Sequence, residues 1–443
     1  MSIVLRAKSF LAPKLRHVGA FFMNQGIIQA ANTLYGIACV RMLPIPDYAK
    51  YTLVYGYLGT LTVFLDGGMA NTINPIIGAR IGDLQLIADV VASLRTIVMR
   101  AYLMLIPFAA AAFVYLARRQ EWSVPWGIEL GAVLLVSLWF ARVSSAYGQV
   151  LLIRRDRTLY YRYQMAGYVG SLVLLGLSVW LHVFSVLLAI LLNLGQLILI
   201  ATLNYRRARS LLGVAGRSTK AIRGTILRLA LPNMPATMFY AVQGQITLLL
   251  LVLMGHSTTS VANIGALNRL AQIPLFLSVM NPILVEPFFA KLAPEKLKRT
   301  YLFSVVLVAS LAVAMATFVF YFPGSISWLL GPKYSHLRLE IGMIFAAACI
   351  FYVSGFMFFV NSSRRFVYWW TSAANITSTI LIETYFIWKV DLSSVRHLLA
   401  MGICNSTGTL LVTAACSLYG LKYGPKTIEL HGSVPEELSG GQA

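Results

Sequence analysis

The stretch QGIIQAANTLYG at residues 25–36 has an echo in NMPATMFYAVQG at residues 233–244. In the first, Gln25, Gln29, Asn32 and Gly36 stand at steps of four, three and four; Asn233, Thr237, Tyr240 and Gly244 repeat those steps 208 residues later. Positions four, seven and eleven apart stack along the 3.6-residue period, so each stretch predicts a helix with a polar stripe on one face. Basic segments precede both.

Further echoes follow at similar shifts, as duplication of a whole six-helix unit requires. Arg95-Thr96 recurs as Arg299-Thr300, and PIIGAR from Pro75 is answered by PFFAKL from Pro287. LLIRRDRTLYYRYQ from Leu151 has its counterpart in FFVNSSRRFVYWWT from Phe358, which places Arg157 over Arg364 and Tyr161 over Tyr368. Each match is weak alone; their common order and spacing carry the inference.

The chain is 58% apolar and 12% charged, with a mean hydropathy of +0.74. A soluble fold of this size needs more polar covering, so the composition predicts an integral membrane protein. Apolar runs predict spans at 17–40, 48–70, 98–117, 128–152, 164–182 and 184–203, then 228–254, 261–286, 301–322, 340–361, 367–388 and 397–419. Each is near the roughly 20 residues that cross a ~30 Å hydrocarbon layer as helix. The expected class is all-α integral membrane, with twelve transmembrane helices in two parallel six-helix repeats around a central cavity. The corresponding division is a basic N-terminus at 1–16, a lobe at 17–203, a basic linker at 204–227, a second lobe at 228–419 and a tail at 420–443.

The net charge of +21 would suit nucleic acid, but Lys and Arg gather in every second connection, the signature of membrane orientation. The linker region alone carries Arg206, Arg207, Arg209, Arg217, Lys220, Arg223 and Arg228, while the connection around His256 carries none. Both termini are therefore expected on the cytoplasmic side. The first apolar run is too long for a cleaved signal and reads as a retained span. Cys39, Cys349, Cys404 and Cys416 lie in spans at unrelated spacings and indicate neither disulfides nor a metal site.

Six helices per repeat is an even number, so the halves enter the membrane in the same orientation and enclose a cleft between them. Pro107, Pro232, Pro235, Pro274, Pro282 and Pro287 lie in or near spans, as hinges or as packing kinks. A charge at the bilayer centre costs roughly 3 kcal/mol, so polar groups within spans tend to face a cavity. Arg142 shares a face with Ser145 and Gln149, and Arg269 with Gln272, with Asn268 adjacent. Unpaired guanidinium groups in a cleft attract anions, and their planar fork suits phosphate; the alternative is an internal ion pair, with Glu286 and Glu383 as available acids. The stripes of Gln25, Gln29 and Asn32, and of Asn233, Thr237 and Tyr240, suit sugar hydroxyls or hydrogen bonds between helices. Asp66, Glu286 and Glu383 are candidates for carrying a coupling ion, against structural pairing.

From about residue 15 to 420 the order of features resembles the polysaccharide flippases of the multidrug/oligosaccharidyl-lipid/polysaccharide exporter superfamily. The residues that carry the likeness are RMLPIPDYAKYTLVYG from Arg41, FLDGGMANTINPIIGARIGD from Phe64, LLIRRDRTLYY from Leu151 and VANIGALNRLAQIP from Val261. Asp66-Gly67 matches an acid and glycine common at the end of the second span in such families, and Arg269 resembles their basic residue in the eighth. The seventh span departs: YAVQGQITLLL holds Gln243 and Gln245 where relatives often place an Asp. The resemblance implies a substrate made of an oligosaccharide joined through diphosphate to a polyprenol, moved to the outer leaflet of a bacterial cytoplasmic membrane for a surface or exported polysaccharide. Arg41, Arg142 and Arg269 are the expected contacts for diphosphate or acidic sugars; Gln25, Gln29, Asn32, Asn233, Tyr240, Asn268 and Gln272 for sugar. Membrane lipids and other polysaccharide assembly proteins are the expected partners, with no nucleic acid and no cofactor.

Three other classes share part of this pattern. A drug/cation antiporter of the same superfamily shares the twelve spans but favours acids and aromatics in its cleft, and is the alternative. A glycan polymerase or ligase needs catalytic groups in a long outer loop; Pro323–Leu339 offers only His336. A major-facilitator carrier would show a glycine-aspartate-arginine loop after the second span, which is absent. Gly-rich phosphate loops, HExxH and nucleophile elbows are also absent, so no enzyme activity is expected.

Overall fold

The computed structural model describes residues 3–424 apart from 78, 79, 81, 155, 232, 233, 254–257, 365, 367, 391 and 393. Twelve long helices account for most of it: α1 Ile3–Met42, α2 Ile45–Asp66, α3 Leu84–Arg119, α4 Val124–Ile153, α5 Arg157–Trp180, α6 Val186–Leu212, α7 Met234–Leu253, α8 Thr258–Phe276, α9 Pro294–Tyr321, α10 Arg338–Ser363, α11 Trp369–Lys389 and α12 Val395–Tyr423. A short helix, Lys220–Ala230, lies in the connection between the halves.

Helix ends follow local chemistry. The Asp83, Ser185 and Thr219 side chains accept from Leu86, Leu188 and Ile222 N–H at three helix starts. Gly67 (φ 51°) and Gly213 (φ 64°) take the left-handed conformation that stops α2 and α6.

Several expected boundaries shift for identifiable reasons. α1 extends back to Ile3, so the basic N-terminus is continuous with the first helix. α2 stops at Asp66, four residues before the expected end at 70, because Gly67 caps it. α3 starts at Leu84, well before 98, because its first turns bury Ile87, Val90, Val91 and Leu94 in a cluster with Ile226 and Ala230 of the short helix. Arg217 N–H donates to Asp89 Oδ1 at 2.6 Å and Thr219 N–H to Ser93 Oγ at 3.3 Å, so the expected linker is docked on the first half. The expected span 261–286 is not one regular helix. It passes from α8 through a 3-10 turn, Leu277–Met280, and a π-turn, Asn281–Val285, into Glu286–Ala290. Pro274, Pro282 and Pro287 each lack a backbone donor here, which explains the break.

The two halves pack alike. α3 lies on α4 as α9 lies on α10; α4 on α6 as α10 on α12; α5 on α6 as α11 on α12; α2 on α4 as α8 on α10. Each pair maps onto the next by a shift of six helices, the relation that two like-oriented units require. Between the halves α2 packs on α7 and α8, and α1 packs on α8. The fold is all-α and membrane-integral, with twelve helices in two parallel six-helix repeats around a central cavity.

By length and apolar content seven of the described helices qualify as spans: α3, α4, α5, α6, α9, α10 and α12. Four of the remaining five, α1, α2, α7 and α8, are the helices that meet across the halves. Helices shielded by protein instead of lipid can carry polar residues, and these do.

Small residues set their approach. A Cβ on Gly36 would stand 2.8 Å from Arg269 Cδ, and one on Gly56 2.7 Å from Gln245 Oε1, while at Gly265 it would collide with Thr52. Gly265→Val is expected to wedge α8 from α2 and destabilise the protein by about 1–3 kcal/mol, the usual range for overpacking. Gly59 has open space around it, so Gly59→Val provides the control. The check is apparent Tm in detergent, with a clear drop for the first variant and little change for the second.

Candidate functional site

The site is built where α1, α2 and α8 converge. On α2, Tyr48, Tyr51 and Tyr55 follow at steps of three and four and so share one face. Arg269 of α8 lies against that face, with its guanidinium carbon 5.6 Å from the Tyr51 ring centre and 4.7 Å from that of Tyr55. Gly36, the last residue of the α1 stripe, supplies the space on the other side. Tyr35, its neighbour, is anchored by donating to Ala189 O at 2.5 Å.

Arg269 is only 6% exposed. Among the described residues there are four ion pairs, and Arg269 belongs to none of them. The acids expected as internal partners are elsewhere: Glu383 accepts from Asn405 Nδ2 at 3.2 Å between α11 and α12, and Glu286 is half-buried beyond the π-turn. The charge is therefore held by ring faces, each worth about 2 kcal/mol when desolvated, and no carboxylate among the described residues pairs with it. A cation kept this way retains its attraction for an incoming anion.

Register along α1 and α8 brings the neutral polar residues alongside. Gly36 meets Arg269 and Gly26 meets Phe276, so the helices run antiparallel. Gln29 and Asn32 fall between these two contacts on α1, and Asn268 and Gln272 fall between them on α8. Gln25, Gln29 and Asn32 are half-exposed, and Asn268 is exposed on a helix otherwise buried from Val261 to Ala271. The Oε1 of Gln272 is buried without a hydrogen-bond partner. On α7, Thr237 of the second stripe lies 3.7 Å from the position of a Cβ on Gly68, just beyond the end of α2. Asn233, and the side chain of Tyr240, lie outside the described residues.

The other two arginines are not in this group. Arg142 of α4 donates from Nη1 to Asp66 Oδ1 at 2.7 Å, a pair contained in the first half. That pairing also engages Asp66, one of the expected ion-coupling acids. Arg41 lies at the end of the bundle farther from the termini, where Nε donates to Leu329 O at 2.9 Å and Nη2 to Trp328 O. Lys333 returns the contact, donating from Nζ to Arg41 O at 2.9 Å and Leu43 O at 3.0 Å. Tyr48 meets Tyr334 edge to face at 6.5 Å just below. These contacts join the α1–α2 corner of one half to the α9–α10 connection of the other and close that end of the cleft.

The tyrosine box was not among the expected site residues, although its spacing on α2 was readable. Nothing in the spacing of Lys333 or Asp66 announced its partner.

No protein-family model matches the chain, and no curated protein does either. Solved structures match along nearly its whole length. A multidrug resistance MATE family transporter of the MOP superfamily, in an inward-facing conformation, superposes with a TM-score of 0.66 at 15% identity over 89% of this chain and 93% of that one. This chain has the fold of MOP-superfamily transporters. A MOP superfamily transporter from Pyrococcus furiosus, in which reverse polarity of the binding pocket suggests a different function, gives 0.63 at 15% identity over 90% and 95%. A multidrug resistance MATE family transporter in an outward-facing conformation gives 0.59 at 16% identity over 91% and 95%.

Proposed function

We propose that the protein is an alternating-access transporter with lobes at about 17–203 and 228–419, its termini cytoplasmic and its outer end closed in the present state. The closure across the halves by Arg41, Lys333 and the Tyr48–Tyr334 contact is the observation that supports this state. The higher superposition score of the inward-facing relative, 0.66 against 0.59, agrees with it.

For the cargo we propose a polyprenyl-diphosphate-linked oligosaccharide flipped from the cytoplasmic to the outer leaflet of a bacterial inner membrane. The supporting observation is the buried Arg269 with no ion-pair partner among the described residues, flanked by the amides of α1 and α8. An anionic headgroup meets the cation and sugar hydroxyls meet the amides. With the cytoplasm negative, export of a diphosphate runs down the electrical gradient, worth roughly 2.3 kcal/mol per charge per 100 mV.

The matched solved structures favour a second reading, a drug/cation antiporter, since multidrug transporters stand among them. Tyrosine faces also bind organic cations. In proteoliposomes containing the full chain, a fluorescent lipid-linked oligosaccharide and ethidium separate the two readings. Protein-dependent exposure of the first to an added quencher is the expected result; ethidium movement driven by an ion gradient, with no flipping of the lipid, would replace the flippase reading with the antiporter.

A further inference from the structure

A second cleft lies inside the first half, between the last turn of α2, the first half of α3 and the second half of α4. It opens outward, holds about 30 Å³ of accessible space, and is lined by Asp66, Arg95, Arg142, Ser145, Trp139 and Tyr147, with aliphatic side chains of α3 completing the wall. As it stands it has room for only one or two waters, at roughly 10–15 Å³ each, so a larger ligand enters only by displacing a side chain of the lining.

The charges do not balance. Two guanidinium groups, Arg95 and Arg142, face one carboxylate, Asp66. Asp66 engages Arg142 only through Nη1, and the Arg142 Nε is buried without a hydrogen-bond partner. A guanidinium binds phosphate or carboxylate through two parallel N–H donors, so Arg142, a residue of the lining, retains one unused donor buried beside the cleft. Arg95 is exposed and lies beside Tyr147 on the same lining. An unmet donor, a surplus cation and an apolar wall with Trp139 together describe a receptor for an anion attached to an apolar body.

We propose that this cleft binds a phosphate-bearing headgroup, with Asp66 as the internal anion that such a headgroup displaces from Arg142. The proposal does not rest on the cargo assigned to the cleft at Arg269, from which this one is separated by α2. It assigns Asp66 a role as competitor, which is opposite in sign to the role of Arg142.

The test measures binding to the purified full chain in detergent, using inorganic phosphate, dihexanoyl phosphatidic acid and, as the zwitterionic control, dihexanoyl phosphatidylcholine. Asp66→Asn is expected to tighten phosphatidic acid binding on the order of tenfold, and Arg142→Gln to weaken it by at least as much, from the worth of charge-assisted hydrogen bonds. Arg95→Gln weakens it less. Should Arg142→Gln fail to fold, Arg142→Lys, which keeps the charge and loses the fork, is expected to give an intermediate affinity. Inorganic phosphate binding with the same variant pattern identifies a free anion as the ligand; phosphatidic acid alone identifies a lipid. No binding of either probe to the wild type or Asp66→Asn overturns the proposal. Equal binding of phosphatidylcholine, or affinities unchanged by Asp66→Asn and by the Arg142 variants, does so as well. A merely structural ion pair would lower Tm in both single variants without moving their affinities in opposite directions.

Discussion

Arg269→Ala is expected to lower transport about tenfold to a hundredfold while leaving membrane insertion and folding intact. The estimate is the loss of one or two charge-assisted hydrogen bonds to an anionic cargo, about 1.5–3 kcal/mol. The fold is not expected to lose as much. The variant gives up the attraction of Tyr51 and Tyr55, about 2 kcal/mol each at most when desolvated, but also relieves the desolvation of a buried charge. Arg269→Lys keeps the charge and loses the planar fork that stacks on two rings, so it is expected to fall between wild type and Ala. Initial rates in proteoliposomes, read beside the apparent Tm of each variant, separate the two effects. Wild-type rates in a folded Arg269→Ala protein would remove this residue from the binding site.

Arg41→Ala combined with Lys333→Ala is expected to shift the conformational equilibrium about tenfold toward the state open at the end farther from the termini. Four cation–carbonyl hydrogen bonds hold that end closed, and Arg41 also lies over the Trp328 ring at 5.7 Å. Several of these contacts are exposed and each contributes only about 0.5–1.5 kcal/mol, but they break together when the halves separate. All the acceptors are carbonyls, so the latch does not depend on titration of an acid. Spin labels at Ser123→Cys and His336→Cys, exposed on opposite halves at that end, are expected to show a larger population at long distance in the double variant. The singles also separate this role from the expected role of Arg41 in binding cargo. A latch responds alike to loss of Arg41 or Lys333, whereas a binding residue would change cargo affinity through Arg41 alone.

The steps of four, three and four in Gln25, Gln29, Asn32 and Gly36, repeated from Asn233, together with the further echoes at similar shifts and an even number of helices per repeat, indicated two like-oriented helical units. Helical period and chain order are local properties. The same logic placed the basic residues in alternate connections and the amides of α1 on one helix face; that this face turns toward α8 of the other half came from packing. Why α1, α2, α7 and α8 carry polar residues within otherwise apolar helices became clear only from packing, which places them between the halves.

The fate of the three arginines was beyond the sequence. Arg142 meets Asp66 from 76 positions away and Arg41 meets Leu329 from 288, while Arg269 meets tyrosines where Glu286 or Glu383 was the expected alternative. Each outcome turns on the rotation and depth of a helix relative to one far along the chain, and a shift of a single residue turns a side chain by about 100°. Periodicity determined which face each arginine occupies. Only tertiary packing, within the first half for Arg142 and between the halves for Arg41 and Arg269, decided whether that face met a carboxylate, a carbonyl or a ring.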